Sequence, residues 1–160
     1  MSDQKEVATQ ESLTGPHRLT MDKWITCAPF EELLQIKIIS AAEGKAHLQM
    51  PFLFDFAQGA GLMHGGALVS LGDTALVMAI KTILEPATHF ATIELTSRFL
   101  QPVVQGAVTA HARIISVDGR EVCGEALLID YQGTEVMKLK ATYKIARDAR
   151  IRTVHFADLD

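Results

Sequence analysis

Gly61–Leu84 reads GLMHGGALVSLGDTALVMAIKTIL. It opens on a glycine-punctuated turn, Gly61 to Gly66, and then runs apolar for about five helical turns. A helix this apolar on most of its faces is expected to be buried rather than laid on a surface. One carboxylate, Asp73, interrupts the run. Burying an ionised carboxylate is costly unless partners compensate it, and Asp is a poor residue for a helix interior. Propensity and burial both argue against Asp73. Where local rules are broken in this way, function is the expected cause.

The flanking sequence supplies the layers that bury such a helix. Upstream, Gln35–Ala42 and Lys45–Pro51 alternate apolar and polar about a Glu43-Gly44 turn, a hairpin pattern. Downstream come four strand-like runs, Phe90–Leu100, Val103–Val117, Val122–Tyr131 and Thr134–Ile145, with turn signals at Asp118-Gly119 and Gln132-Gly133. The helix itself is expected from about Gly65 to Leu84, ahead of Pro86. Two strands, one buried helix and four strands make an α+β chain. One long central helix wrapped by a curved antiparallel sheet is the economical arrangement. Its edge strands need protection, which pairing with a second copy provides.

The ends carry less information. Residues 1–20 are polar and aperiodic and read as a mobile arm, residues 21–147 as the domain, and residues 148–160 as a charged tail. Within the domain, Thr20 is expected to cap a short helix carrying Trp24, Ile25 and Cys27, stopped by Pro29. Phe52, Phe54 and Phe56 read as core.

Of the 160 residues, 48% are apolar and 21% charged, which fits one globular domain with a real core. A formal net charge of -4 without a basic run argues against nucleic acid and anionic membranes as partners. Cys27 and Cys123 lie far apart and read as free thiols, while His47, His89, His111 and His155 show no ligand spacing, so no metal is expected. The N-terminus lacks an apolar signal core. The run Ala67–Leu84, broken by Ser70, Asp73 and Lys81, is too interrupted to span a membrane, so a cytoplasmic location is expected.

The segment His64-Gly65-Gly66 opening the helix, with Asp73 nine residues after the histidine, resembles the hotdog-fold thioesterases, and most of all the phenylacetate-pathway (PaaI-like) branch. The resemblance covers roughly residues 23–146 and implies a hotdog fold and hydrolysis of an acyl-CoA thioester. It implies Asp73 as nucleophile or general base, and the Gly65 N–H as the group that polarises the carbonyl. It implies His64 as the residue that orients the loop or the thioester, with Gly66 and Met63 against the substrate. The family often carries Asn six residues before the motif histidine, where this chain has Gln58, and Thr92 matches a hydroxyl that points into the site from the strand after the helix. The implied partners are the acyl-CoA substrate and further copies of the chain, as homodimer or homotetramer (a dimer of dimers), with the site at a subunit boundary and the pantetheine arm threading between subunits. CoA enters as part of the substrate and no separate cofactor is implied.

The residues support this assignment physically. A helix N-terminus concentrates free N–H donors and positive dipole, which suits a developing oxyanion. Gly65 and Gly66 allow close approach to the backbone. Asp73 follows them by seven to eight residues, on roughly the same helix face and within about a turn of the acyl carbon. Each residue also has a structural reading: Asp73 as a carboxylate holding a neighbouring loop or the partner subunit, His64 as a loop histidine bonding backbone to fix its turn, Gln58 as a loop-stabilising amide, Thr92 as an ordinary strand residue, and Gly72 as a packing glycine. Two further functions stay open, a hotdog acyl-CoA dehydratase or hydratase and a non-catalytic acyl-CoA-binding module.

Overall fold

Apolar–polar alternation at a period of two becomes an antiparallel sheet in the computed structural model, which describes residues 19–159. The elements in chain order are β1 (Leu19–Met21), α1 (Pro29–Leu33), β2 (Lys37–Ala42), β3 (Lys45–Pro51), α2 (Gly65–Lys81), β4 (Thr88–Phe99), β5 (Ala107–Asp118), β6 (Glu121–Ile129), β7 (Glu135–Arg150) and β8 (Val154–Phe156). Six strands lie in the order β2-β3-β5-β6-β7-β4, and every neighbouring pair is antiparallel. Helix α2 packs across β3, β5, β6 and β7. This is the expected hotdog arrangement.

Turn chemistry fixes the hairpins. Glu43 and Gly44 take φ of 51° and 73° between β2 and β3, the left-handed pair that a tight hairpin needs. Between β6 and β7, Asp130 accepts hydrogen bonds from the Gln132 and Thr134 N–H groups, both at 2.9 Å. Strands β4 and β5 are not neighbours, because β4 lies beyond β7 at the sheet edge. The chain crosses between them through Leu100–Gly106, and so the strand expected from Val103 begins only at Ala107. Val103 is 2% exposed and its carbonyl accepts the Met63 N–H at 3.0 Å, so the crossing braces the turn that precedes α2.

The core forms where α2 meets the sheet. Leu71, Leu76 and Ile80 interdigitate with Leu48, Met50, Val108, Leu128 and Met137, all without exposure. Two glycines set the separation. A Cβ on Gly72 of α2 would lie 3.0 Å from Leu139 Cδ1, and one on Gly124 of β6 would lie 2.5 Å from Leu76 Cδ2 and 3.1 Å from the Arg113 carbonyl. The opposite stripe of α2 is left uncovered within one chain: Gly66 is exposed, and Val69, Ser70, Asp73 and Val77 are half-buried. The helix is therefore not buried on all sides, as its composition suggested. Its period of apolarity continues onto a face that this chain does not cover.

The termini depart most from expectation. No helix carries Trp24, and Thr20 belongs to β1. The reason is tertiary: the Trp24 indole N–H donates to the Lys81 carbonyl at 3.0 Å, and the ring packs edge-on against Phe156, 5.3 Å between centroids. Pro29 opens α1 instead of ending a helix, as its missing N–H allows. The supposed tail continues β7 to Arg150, past the boundary expected at 147. It then supplies β8, which pairs in parallel with β1. Most of the expected mobile arm lies outside the described residues. The helix stops at Lys81 rather than Leu84, where Thr82 accepts the Gly44 N–H at 2.7 Å. Phe52 and Phe56 join the core edge, whereas Phe54 is 93% exposed. No helix among the described residues is long and apolar enough to cross a membrane.

The Gly124–Leu76 contact leaves no room for a methyl group. The substitution Gly124→Ala is expected to destabilise the fold by about 1–3 kcal/mol, read as a lower midpoint in urea unfolding.

Candidate active site

The loop ahead of α2 is built to present the helix start. The Gln58 N–H donates to the Leu62 carbonyl and the Gly61 N–H to the Gln58 carbonyl, both at 2.8 Å. Gly61 takes φ 81°, which favours glycine. The Gln58 side-chain oxygen accepts the Ala60 N–H, so this amide holds its own turn, and the extra methylene is used locally. The His64 N–H then donates to the Phe56 carbonyl at 2.8 Å.

His64 is the N-cap. Its Nδ1 accepts the Gly66 N–H at 2.8 Å, and its carbonyl accepts those of Ala67 and Leu68 at 3.0 and 3.3 Å. An accepting Nδ1 carries no proton, so the neutral ring is protonated at Nε2. The first four N–H groups of a helix lack intrahelical partners. Here these are the N–H groups of His64, Gly65, Gly66 and Ala67: that of His64 goes to Phe56, those of Gly66 and Ala67 go to His64, and that of Gly65 meets no acceptor among the described residues. Gly65 lines a cleft of about 380 Å³ together with Gln58, Met63, Leu68, Phe99 and Pro102. A Cβ on Gly65 would lie 3.1 Å from Phe99 Cζ, so only glycine keeps that wall clear.

The second group lies two turns down α2. Asp73 Oδ1 accepts the Tyr143 hydroxyl at 2.7 Å and the Thr92 hydroxyl at 3.1 Å, and the Tyr143 hydroxyl also lies 3.3 Å from the Asp73 carbonyl. Thr92 and Tyr143 are direct cross-strand partners in β4 and β7, and therefore share a face. A register shift between Thr92 and Glu94 leaves Ile93 bulged beside them, a device that re-aims side chains near sites. Tyr143 has no exposure. Burial, then the Asp73 charge and their hydrogen bond, push its phenol far above the ordinary range, so it remains a donor. Both hydroxyls clamp one carboxylate oxygen. Asp73 Oδ2 has no hydrogen bond among the described residues and stays available for chemistry.

The expected residues therefore fall into two clusters: Gln58, Met63, His64, Gly65 and Gly66 at the helix start, and Asp73 with Thr92 below. The expectation that Gly65 and Asp73 flank one acyl carbon does not hold within a chain. Eight residues of helix amount to about 12 Å, too far for both to touch one carbonyl. Tyr143 was missed as a site residue. The signal was present, since the alternation Met137, Leu139, Ala141, Tyr143 turns its ring inward. A buried phenol needs an acceptor, and Asp73 is the carboxylate of α2.

Other candidates lie apart. Arg113 pairs with Glu125 on the outer sheet face, where Arg98 also sits. His47 and His111 pack edge to face at 4.4 Å. No group of three or more His, Cys, Asp or Glu side chains converges among the described residues. Cys27 and Cys123 are unbridged and half-buried, and burial raises the Cys27 thiol above its usual range.

Residues 60–137 match the family profile described as the thioesterase superfamily. The chain is 30% identical over 87 residues to the 1,4-dihydroxy-2-naphthoyl-CoA hydrolase of Listeria monocytogenes, covering 54% of this chain and 71% of that enzyme. Among solved structures it is similar to the PaaI protein of the phenylacetic acid degradation operon of E. coli, with a TM-score of 0.68 and 26% identity over 79% of this chain and 88% of that one. It also shares its fold with a thioesterase of Staphylococcus aureus, with a TM-score of 0.71 and 20% identity over 74% and 98% of the two chains.

Replacing Tyr143 by Phe removes one of the two hydroxyls on Asp73 while keeping the ring. Loss of a hydrogen bond to a charged group is expected to lower stability by about 1.5–3 kcal/mol, read as a shift of the thermal unfolding midpoint, with the native near-UV spectrum retained.

Proposed function

The chain belongs to the thioesterase superfamily and is a thioester hydrolase, and we propose that its substrate is an acyl-CoA, cleaved at a site shared between two copies of the chain. The observation that carries this reading is the complementarity of the two clusters on α2. One end offers an unpaired backbone N–H at a helix start. The other offers a carboxylate with one oxygen clamped and one free.

The surface supports the pairing. Strand β4 is an edge strand of 12 residues. It carries Ile93 and Phe99 at 54% and 52% exposure, an unprotected edge of the kind that proteins pair or cover. Beside it runs the half-exposed stripe of α2 that contains Asp73. A two-fold axis near Val69, midway between Gly65 and Asp73, sets two α2 helices antiparallel. The helix start of one copy then meets Asp73 of the other. Two such sites arise per dimer, and a dimer of dimers adds no further requirement to either.

In such a site the thioester carbonyl oxygen lies against the Gly65 N–H, where the helix dipole also favours developing negative charge. The free oxygen of Asp73 either attacks the carbonyl carbon or takes a proton from the water that attacks it. The C–S bond breaks as the tetrahedral intermediate collapses, and CoA leaves as its thiolate. That leaving group needs no acid, so a single carboxylate suffices. Water supplies the hydroxyl of the product acid and the proton that finally neutralises the thiolate. Tyr143 and Thr92 hold the carboxylate in place throughout.

Thiol release from a panel of acyl-CoAs tests the activity. Asp73→Asn keeps the shape and both neighbours, and is expected to lower kcat by about 10²–10⁴-fold. If the wild type releases no thiol while acyl-CoA raises its melting temperature, the protein is a binding module instead. Ile93→Asp on the exposed edge is expected to shift the protein to monomer by light scattering and to abolish turnover together with assembly. A fully active monomer would rule out the shared site.

A further inference from the structure

A second cavity, of about 270 Å³, opens on the other side of Asp73 from the helix start. Val77 and Lys81 of α2, Phe90 and Thr92 of β4, and Ile151 and Phe156 of the terminal segments line it. Val77 lies one turn beyond Asp73 and on the same helix face. Thr92 does double duty, because its hydroxyl donates to Asp73 at 3.1 Å while the residue forms a stretch of the cavity wall. The carboxylate and the cavity therefore share a boundary, and apart from Thr92 and Lys81 the walls named are apolar.

Beyond Val77 the cavity wall carries a reciprocal pair. The Trp24 indole N–H donates to the Lys81 carbonyl at 3.0 Å, and the Lys81 amine donates to the Trp24 carbonyl at 2.9 Å. The same amine lies 4.6 Å from the indole centroid. Phe156 of β8 buttresses the ring edge-on. The amine is thus committed to Trp24, and the β1–β8 ribbon acts as a fixed floor.

We infer that this cavity is the acyl pocket, and that it takes aliphatic or aromatic acyl groups of up to about nine non-hydrogen atoms, at ~30 Å³ each. The inference rests on the reading of Asp73 as the hydrolytic carboxylate. A thioester whose carbonyl lies between Gly65 of one copy and Asp73 of the other has two ways out along α2. Its pantetheine arm leaves by the cleft at the helix start, and its acyl group runs past Thr92 and Val77 into the cavity. Desolvation of the acyl group against these apolar walls then makes hydrolysis of medium-length and aromatic substrates more efficient than that of acetyl-CoA. The Trp24–Lys81 floor rejects long chains.

The test is kcat/KM for acetyl-, hexanoyl-, octanoyl-, phenylacetyl- and palmitoyl-CoA with the wild type and two cavity-filling variants. Val77→Phe fills from the helix and Ile151→Phe from the terminal segment, taking the room of about four and about three non-hydrogen atoms respectively. The wild type is expected to prefer octanoyl- and phenylacetyl-CoA over acetyl-CoA by at least about tenfold and to discriminate against palmitoyl-CoA. Each filled variant is expected to lower the octanoyl-to-acetyl ratio by at least about tenfold. The two changes lie on different elements, so a variant that fails to fold leaves the other to decide. A wild type that hydrolyses the panel, with the ratio unmoved in a folded variant, overturns the pocket assignment alone. A wild type that releases no thiol from any of them overturns the hydrolytic reading, and the pocket with it.

Discussion

The hydrogen bond from the Tyr143 hydroxyl to Asp73, 2.7 Å long, is the constraint on which the site depends. It joins the central helix to a strand through polar atoms in an otherwise apolar interface. Neither partner is comfortable alone. A buried phenol without an acceptor and a carboxylate in an apolar helix are each costly. Together they satisfy each other on one side only. Thr92 completes the clamp from the edge strand, and the second carboxylate oxygen has no hydrogen bond among the described residues. The bulge at Ile93 belongs to the same design, because it lets an edge strand keep its pairing with β7 while Thr92 reaches the helix.

The helix start works by the opposite logic. There the chain satisfies every donor but one. His64 accepts the Gly66 N–H through its ring and two further N–H groups through its carbonyl, which leaves Gly65 unpaired. Read along the sequence, a histidine in that position is expected to orient the loop or the thioester. In the fold it acts as a cap, and its main effect is to decide which donor remains free. Gln58 has a similar supporting role within the loop that leads into it.

Much of this could be read in the sequence, for identifiable reasons. Alternation and turn residues located every strand of the six-stranded sheet, because a half-buried strand has to write its period into its residues. The conflict at Asp73 marked a carboxylate that the fold holds by two hydroxyls, one of them that of Thr92. Three things could not be read. The spatial order that moves β4 to the far edge depends on pairing energies between distant strands, and neither strand records its partner. The β1–β8 ribbon is three residues a side, too short for a periodic signal, and Trp24 is held by tertiary contacts rather than local ones. The separation of Gly65 from Asp73 is a matter of rise rather than of angle. A helical wheel shows two residues on one face and hides the 12 Å or so between them.

The chain contains a single tryptophan, and its indole belongs to the lining of the 270 Å³ cavity. That ring is desolvated, bonded to a carbonyl and lies under a cationic amine. Its emission therefore reports on one locality, with no second fluorophore of its kind to dilute the signal. The protein carries a built-in optical gauge in the wall of that cavity. Whatever fills the space, or pulls the terminal ribbon away from Lys81, changes the polarity and the quenching that this one ring experiences, without a label and without a turnover event.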